Sequence, residues 1–361
     1  MNILVVLESY YPNVGGVEQH FTLICEGFVR QGHAVTVLTT GVKSHPVETS
    51  VNGVTITRLR TKSRYWFTLF SLPALLCMAS NCDLILTTSY NAAFPTWICA
   101  RWHRKKVIVV IHEVWGELWF QLPFLGWIRK ATHYGFEQLL LGLSFDRFVV
   151  PSNATETRLI EHGVDPERIV RIYNGIDYNQ FSVYTHIPPE TFTYCYFGRL
   201  GISKGLDILL PAAACFAEQN PQSRLKLIIP DRPIGQYKKI ITLISQYGLE
   251  QHVHIQHNLP KEALYDSITS SHCVVFPSYS EGFCFAAVES IALGVPVIVS
   301  DRGALPEVVS RKHLLVTELT SDAFCDALTQ AMNEAWKSTE LKVFSVEDTI
   351  RGYLELFDEV L

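Results

Sequence analysis

The sequence predicts an α/β chain built from two doubly wound parallel sheets, and three observations carry that expectation. Short, wholly apolar β-branched runs alternate with helical stretches. The alternation passes once through the first half and restarts after residue 190, and the length of 361 residues exceeds what one ordinary core serves. Continuous apolar runs, as opposed to alternating ones, belong to strands covered on both faces.

The runs ILVVL (3–7), VTVLT (35–39), DLILTT (83–88), VIVVI (107–111) and RFVV (147–150) read as strands of a first sheet. Between the first two lies an amphipathic helix with Val17, Phe21, Ile24 and Phe28 on one stripe, ended at Gly32. TYCYF (193–197), LKLII (225–229), HVHIQ (252–256), HCVVF (272–276) and PVIVS (296–300) form the second set. Helices are expected from near Leu206 and over 283–293, the latter stopped by Gly294 and Pro296. The stretch 178–190 carries Pro188-Pro189 without periodicity and reads as the connector. The last stretch, 346–361, reads as a helix with Ile350, Tyr353, Leu354 and Phe357 apolar, and its pattern does not say which domain it packs on. The expected domains are 1–182, joined by a helix at about 345–361, and 183–344.

Composition narrows the function. A net charge of −5 and 18% charged residues provide no basic footprint for nucleic acid. Nine cysteines without a CxxC pair fit a reduced compartment. Met1 to Leu7 lacks the positive start of a signal peptide, and its apolar run stops at Glu8. No stretch offers about 20 uninterrupted apolar residues, so no spanning helix is expected and the location reads as cytoplasmic. The His, Cys and Asp residues lack ligand spacing, so neither a metal nor another cofactor is expected, and HVHIQH (252–257) reads as strand.

Open α/β sheets bind ligands beyond the carboxyl ends of their strands, and the candidate motifs fall there. The first strand runs into a loop ending in Gly15-Gly16 before a helix, where paired glycines let the backbone approach a phosphate. The loop is not GxGxxG, which disfavours a nicotinamide cofactor. His112 and Glu113 follow VIVVI, and a histidine there can hydrogen-bond a sugar hydroxyl. Arg199 and Lys204 flank a glycine-containing turn after TYCYF, and two cations at a helix start suit a diphosphate. Glu281 and Glu289 stand eight residues apart around another helix start. Two carboxylates beside an anion site suit a ligand with both hydroxyls and phosphates. Each feature taken singly has a plain structural alternative: a flexible loop, a core histidine, a solvated basic turn, a helix cap.

Taken together, GGVEQH (15–20), GHAVTVLTT (32–40), His112-Glu113, VVPSNAT (149–155), YNGID (173–177), FGRLGISKG (197–205), FPSYSEGFCFAAVE (276–289), GVPVIVS (294–300) and LPEVV (305–309) resemble the retaining glycosyltransferases of family 4, with the GT-B fold. The most specific element is the E-x7-E pair after Pro277-Ser278. The resemblance implies two Rossmann-like domains facing across a cleft, with the C-terminal helix crossing back to the first. It also implies roles. Arg199 and Lys204 would hold the donor diphosphate in place of a metal ion, Glu281 the sugar hydroxyls and Glu289 the ribose. The backbone of Gly15 and Gly16 would approach a phosphate, that of Phe283, Cys284 and Phe285 the sugar. His112 would reach the sugar, and Asn258 and Leu259 would lie near the base. Departures from the family pattern are Cys284 and Ala304, where glycine is usual, Pro230-Asp231-Arg232 in place of a glycine-rich turn, and the lack of the usual glycine near His257.

The expected activity is transfer of a sugar from a UDP- or GDP-sugar, with retention, to a glycan or lipid-linked acceptor. Two aromatic runs, 65–79 (interrupted by Pro73) and 114–130, are either buried helices or contacts with the inner face of a membrane. A nucleotide-sugar epimerase or phosphorylase on the same plan, or a non-enzymatic sugar-binding protein, are the alternatives.

Overall fold

The computed structural model describes residues 1–13, 15–42, 45–61, 64–122 and 125–361, the Arg64 side chain excepted. Val14 of the first strand-end loop and Pro123 and Phe124 of the second aromatic run lie outside the described residues. The chain forms two compact units. One comprises Met1–Gln121, Gly126–Gly175 and Phe344–Leu361, the other Leu122–Leu125 and Ile176–Val343. The division thus falls at 175/176, ahead of the expected 182/183. The turn Tyr178–Phe181 belongs to the second unit, where the Phe181 ring lies 5.2 Å from Tyr265. A pair of prolines marks an irregular chain but not where that chain docks.

In the first unit, β1 (Asn2–Val6), β2 (Ala34–Thr40), β3 (Glu48–Val51), β4 (Val54–Leu59), β5 (Leu84–Thr88), β6 (Lys106–Val110), β7 (Arg147–Val150) and β8 (Ile169–Arg171) make one sheet in the order β3-β4-β2-β1-β5-β6-β7-β8. Only β3 runs antiparallel, against β4. The two join through Asn52 and Gly53, both at positive φ, the pair that a two-residue hairpin turn demands. Helix Gly16–Arg30 buries Phe21, Ile24 and Phe28, and Gly32 at φ 85° follows its end. Helix Val346–Val360 belongs to this unit; its Tyr353 and Phe357 rings pack on Phe28. Ser345 caps it by accepting the Asp348 N–H at 3.1 Å.

In the second unit, β9 (Thr193–Phe197), β10 (Arg224–Ile228), β11 (Val253–Gln256), β12 (Cys273–Phe276), β13 (Val297–Ser300), β14 (Arg311–Val316) and β15 (Lys337–Thr339) take the order β11-β10-β9-β12-β13-β14-β15. All neighbours are parallel except β14 and β15. All five side chains of β9 are buried, as its unbroken apolar run requires. Cys215 and Cys325, 110 residues apart, form a disulfide between helices Leu206–Gln219 and Ser321–Met332. This departs from the reduced-cysteine reading, because the pair meets only through the packing of those two helices and leaves no spacing signal. Among the described residues no helix is long and apolar enough to cross a membrane.

Candidate functional site

In the second sheet β9 and β12 are neighbours although two strands separate them in sequence. Winding reverses between them, and the loops after their carboxyl ends are where a ligand crevice forms in such sheets. These loops carry Arg199, Lys204, Glu281, Phe283 and Cys284.

The two loops are joined at backbone level. Gly205, at φ 67°, precedes helix Leu206–Gln219, and a Cβ there would run into the Pro277 carbonyl, so glycine is required twice over. The Tyr279 N–H donates to the Ser203 carbonyl at 2.8 Å, and the Tyr279 hydroxyl to Asp207 Oδ2 at 2.8 Å. Across this seam Lys204 Nζ donates to Glu281 Oε1 at 2.8 Å and Oε2 at 2.9 Å. Ser278 Oγ adds a bond to Oε1 at 2.7 Å and is itself held by the Ser300 hydroxyl, which donates to the Ser278 carbonyl at 2.6 Å. The Glu281 carbonyl accepts the Ala304 N–H at 2.8 Å, and Gly303, at φ 55°, leaves room for the Glu281 backbone. Glu281 is therefore fixed at both side chain and main chain. The ammonium and the hydroxyl occupy only part of the acceptor capacity of its two oxygens, which leaves lone pairs for a ligand's hydroxyls. Arg199 is exposed, with no side-chain partner among the described residues.

The expected helix over 283–293 is Phe285–Ala292. Cys284 ahead of it sits at φ 67°, a left-handed conformation that favours glycine and stops helical geometry from reaching Phe283. Phe283 lies 5.2 Å, ring to ring, from Phe285. Burial pushes the Cys284 thiol well above its ordinary range; Glu281 adds to the effect and Lys204 opposes it. Glu289 is buried in the same helix, and its charge contributes, after burial, to raising the Tyr265 hydroxyl. After β11, Asn258 is exposed at φ 48° with its amide 3.5 Å from Asp231, and Leu259 is half-buried. His257, beside them, is anchored by the Ile229 carbonyl at 2.8 Å and the Tyr237 hydroxyl at 3.2 Å.

In the first unit, Gly15 is extended and its carbonyl accepts the Gln19 N–H at 2.8 Å, opening helix Gly16–Arg30. His112 follows β6, its ring 5.8 Å from Phe21 and 5.9 Å from His20, both edge-on. Polar side chains here that sequence patterns did not single out are Asn91, donating to Glu8 at 2.6 Å, and the buried Glu137. Glu137 accepts the N–H groups of Trp115 at 3.0 Å and Gly116 at 2.7 Å. Asn91 lies in a loop, and its partner is 83 residues away. A carboxylate within a helical apolar pattern, as at Glu137, is the one signal that was available. Among the described residues no group of three or more His, Cys, Asp or Glu is placed to hold a metal ion.

The two aromatic runs resolve into partly exposed helices. Helix Arg64–Met78 continues through Pro73 and buries Phe67 and Leu75 while exposing Tyr65, Trp66, Leu69 and Phe70. Trp115 and Trp119 are half-buried, with Trp119 stacked 4.8 Å from His133. Trp127 and Ile128 at the start of helix Trp127–Leu141 are 73% and 78% exposed beside Arg129 and Lys130.

Residues 14–180 match the family described as Glycosyltransferase Family 4, and residues 179–343 match Glycosyl transferases group 1. The chain is similar to a D-inositol 3-phosphate glycosyltransferase of Streptomyces bingchenggensis, 25% identical over 247 residues that cover 64% of this chain and 54% of that protein. It spans about half the length of such curated relatives. Among solved structures, a sucrose-phosphate synthase from Thermosynechococcus elongatus superposes with a TM-score of 0.85 at 21% identity, covering 100% of this chain and 99% of that one. Anabaena HepE in complex with UDP-glucose superposes with a TM-score of 0.78 at 18% identity, covering 99% and 100%.

Proposed function

We propose, because the chain belongs to the family 4 and group 1 glycosyltransferases and has their GT-B fold, that it transfers a sugar from a nucleotide sugar to a hydroxyl-bearing acceptor with retention at the anomeric carbon. The observation that carries the proposal is the bidentate pair of Lys204 with Glu281, seated with Arg199 at the winding reversal of the second sheet.

The costly event is breakage of the bond between the anomeric carbon and the diphosphate. The sugar becomes oxocarbenium-like as negative charge grows on the leaving group. Fixed cations and N–H dipoles aimed at that charge lower the barrier without having to reorganise. Lys204, Arg199 and the N-terminus of helix Leu206–Gln219 supply them. This reading gives the transfer step no divalent cation, so activity is expected to survive EDTA. Glu281 orients sugar hydroxyls and is not a nucleophile, Glu289 takes the ribose hydroxyls, and the incoming hydroxyl attacks from the face the diphosphate leaves, its proton passing to the departing diphosphate oxygen as the anomeric C–O bond breaks. His112, as the family resemblance implies, hydrogen-bonds the sugar.

The donor we favour is a UDP-sugar, in line with the UDP-glucose complex of a structural relative. The acceptor we favour is presented at a membrane surface. Exposed Trp66, Leu69 and Phe70 on one helix, and Trp127 and Ile128 beside a basic pair on another, are the chemistry of an interfacial contact. A thermal-shift screen against UDP, GDP, ADP and their sugars tests the donor. Stabilisation by UDP and a UDP-sugar is expected, and a fold stabilised by no nucleoside diphosphate would sink the proposal.

A further inference from the structure

His20 closes the GGVEQH run in helix Gly16–Arg30, and the mechanism above makes no use of it. It is nonetheless 1% exposed, and its ring stands edge-on to His112 at 5.9 Å and 84°. Phe21 meets the same His112 ring at 5.8 Å and 81°. On the side of His20 toward the C-terminal helix, Nε2 lies 3.3 Å from the Tyr353 hydroxyl. Tyr353 is wholly buried against Phe28 and Phe357.

Burial holds the His20 imidazole neutral, with the neighbouring His112 adding to the effect, and burial also keeps the Tyr353 hydroxyl protonated. A neutral imidazole has one donor and one acceptor nitrogen. With Nε2 engaged by Tyr353, rotation of the His20 ring is restrained, and that ring is the one His112 meets edge-to-face. A buried histidine–tyrosine pair costs desolvation that a leucine and a phenylalanine would not. Here that polar pair sits directly behind the one strand-end histidine assigned to the sugar.

We infer that His20 and Tyr353 are positioning residues for His112: the C-terminal helix, acting through the Tyr353 hydroxyl and the His20 ring, sets the orientation of the His112 imidazole. The inference rests on the reading of His112 as a sugar contact.

Tyr353→Phe removes one hydroxyl and keeps the ring. With UDP-glucose as donor and UDP release as the signal, kcat is expected to fall about three- to tenfold, the worth of one hydrogen bond. KM is expected to stay within about twofold, because donor binding is not what the hydroxyl serves. The His112 ring resonances of histidine-labelled protein should shift, and His20→Gln should retain more activity than His20→Leu. Unchanged kcat together with unchanged His112 resonances in Tyr353→Phe would overturn the positioning role, and this variant decides the matter even if His20→Leu fails to fold. Full UDP release by His112→Ala would instead overturn the reading of His112 itself, and the positioning role with it. Loss of release in His112→Ala, with kcat and the His112 resonances both unchanged in Tyr353→Phe, removes only the positioning role.

Discussion

Lys204 Nζ holds both carboxylate oxygens of Glu281, at 2.8 and 2.9 Å, across two loops 77 residues apart in sequence. The group assigned to the departing diphosphate and the group assigned to the sugar therefore orient one another. Their side chains are 26% and 10% exposed, so removing either partner strands a shielded charge and costs more than breaking a surface ion pair.

Glu281→Gln keeps the shape and one oxygen but removes the charge. Lys204 is then free to engage phosphate, so UDP affinity should stay unchanged or rise. UDP release from UDP-glucose should fall by roughly 10²-fold or more, the usual cost of losing a charge-fixed contact in a transition state. Paired calorimetric titration and initial-rate measurements separate the two effects. Parallel losses of UDP binding and rate would contradict the division of roles.

Gly205→Ala should be severe. The residue sits at φ 67°, and its Cβ would meet the Pro277 carbonyl, which is backbone and cannot swing away. A loss of about 2–4 kcal/mol in unfolding free energy is expected, together with loss of UDP binding as the Lys204 loop lifts from Glu281. Urea unfolding measures the first; a stability loss below about 0.5 kcal/mol would contradict the packing described.

Cys284 should resist alkylation. Its folded-state thiol is raised, so the reactive thiolate is scarce near neutral pH and grows only as pH climbs above the ordinary thiol range. Exposed Cys77 serves as an internal control. Mass spectrometry after iodoacetamide at pH 7.5 should find Cys77 modified well before Cys284, and equal labelling would contradict the site's electrostatics.

Flotation with anionic vesicles addresses the exposed aromatics. Trp66→Ser with Phe70→Ser, and separately Trp127→Ser with Ile128→Ser, should each weaken binding about tenfold, from the apolar surface removed. Wild-type protein that stays at the bottom of the gradient would dispose of the membrane reading while leaving the donor site untouched.

Among the strands that read clearly from sequence, β1, β5, β6 and β9 did so because burial on both faces leaves short near-continuous apolar runs; only Asn2 and Lys106, at the starts of β1 and β6, are exposed. The hairpin β3–β4 was missed even though Asn52-Gly53 is a strong turn signal, since ETSV and VTITRL are too polar to look like core. The three-residue strands β8 and β15 are shorter than any periodicity that could announce them. In the site, Glu281 and Lys204 were each legible as charges at strand ends, but their mutual contact was not, because it depends on Gly205 meeting Pro277. Cys284 looked like a departure from a glycine pattern, and its φ of 67° gives the physical reason that glycine suits the position. His20 carried no role at all until the C-terminal helix brought Tyr353 to it.

The most direct test of the donor site is isothermal titration of UDP into wild-type protein and into Lys204→Ala. Wild-type protein should bind with one site per chain. The variant should bind at least about tenfold more weakly, the loss expected for one charge-assisted phosphate contact. Equal affinity in both proteins, or no binding to wild-type protein by UDP or any other nucleoside diphosphate, would contradict the assignment of Lys204 and the loops around it to a nucleotide-sugar donor.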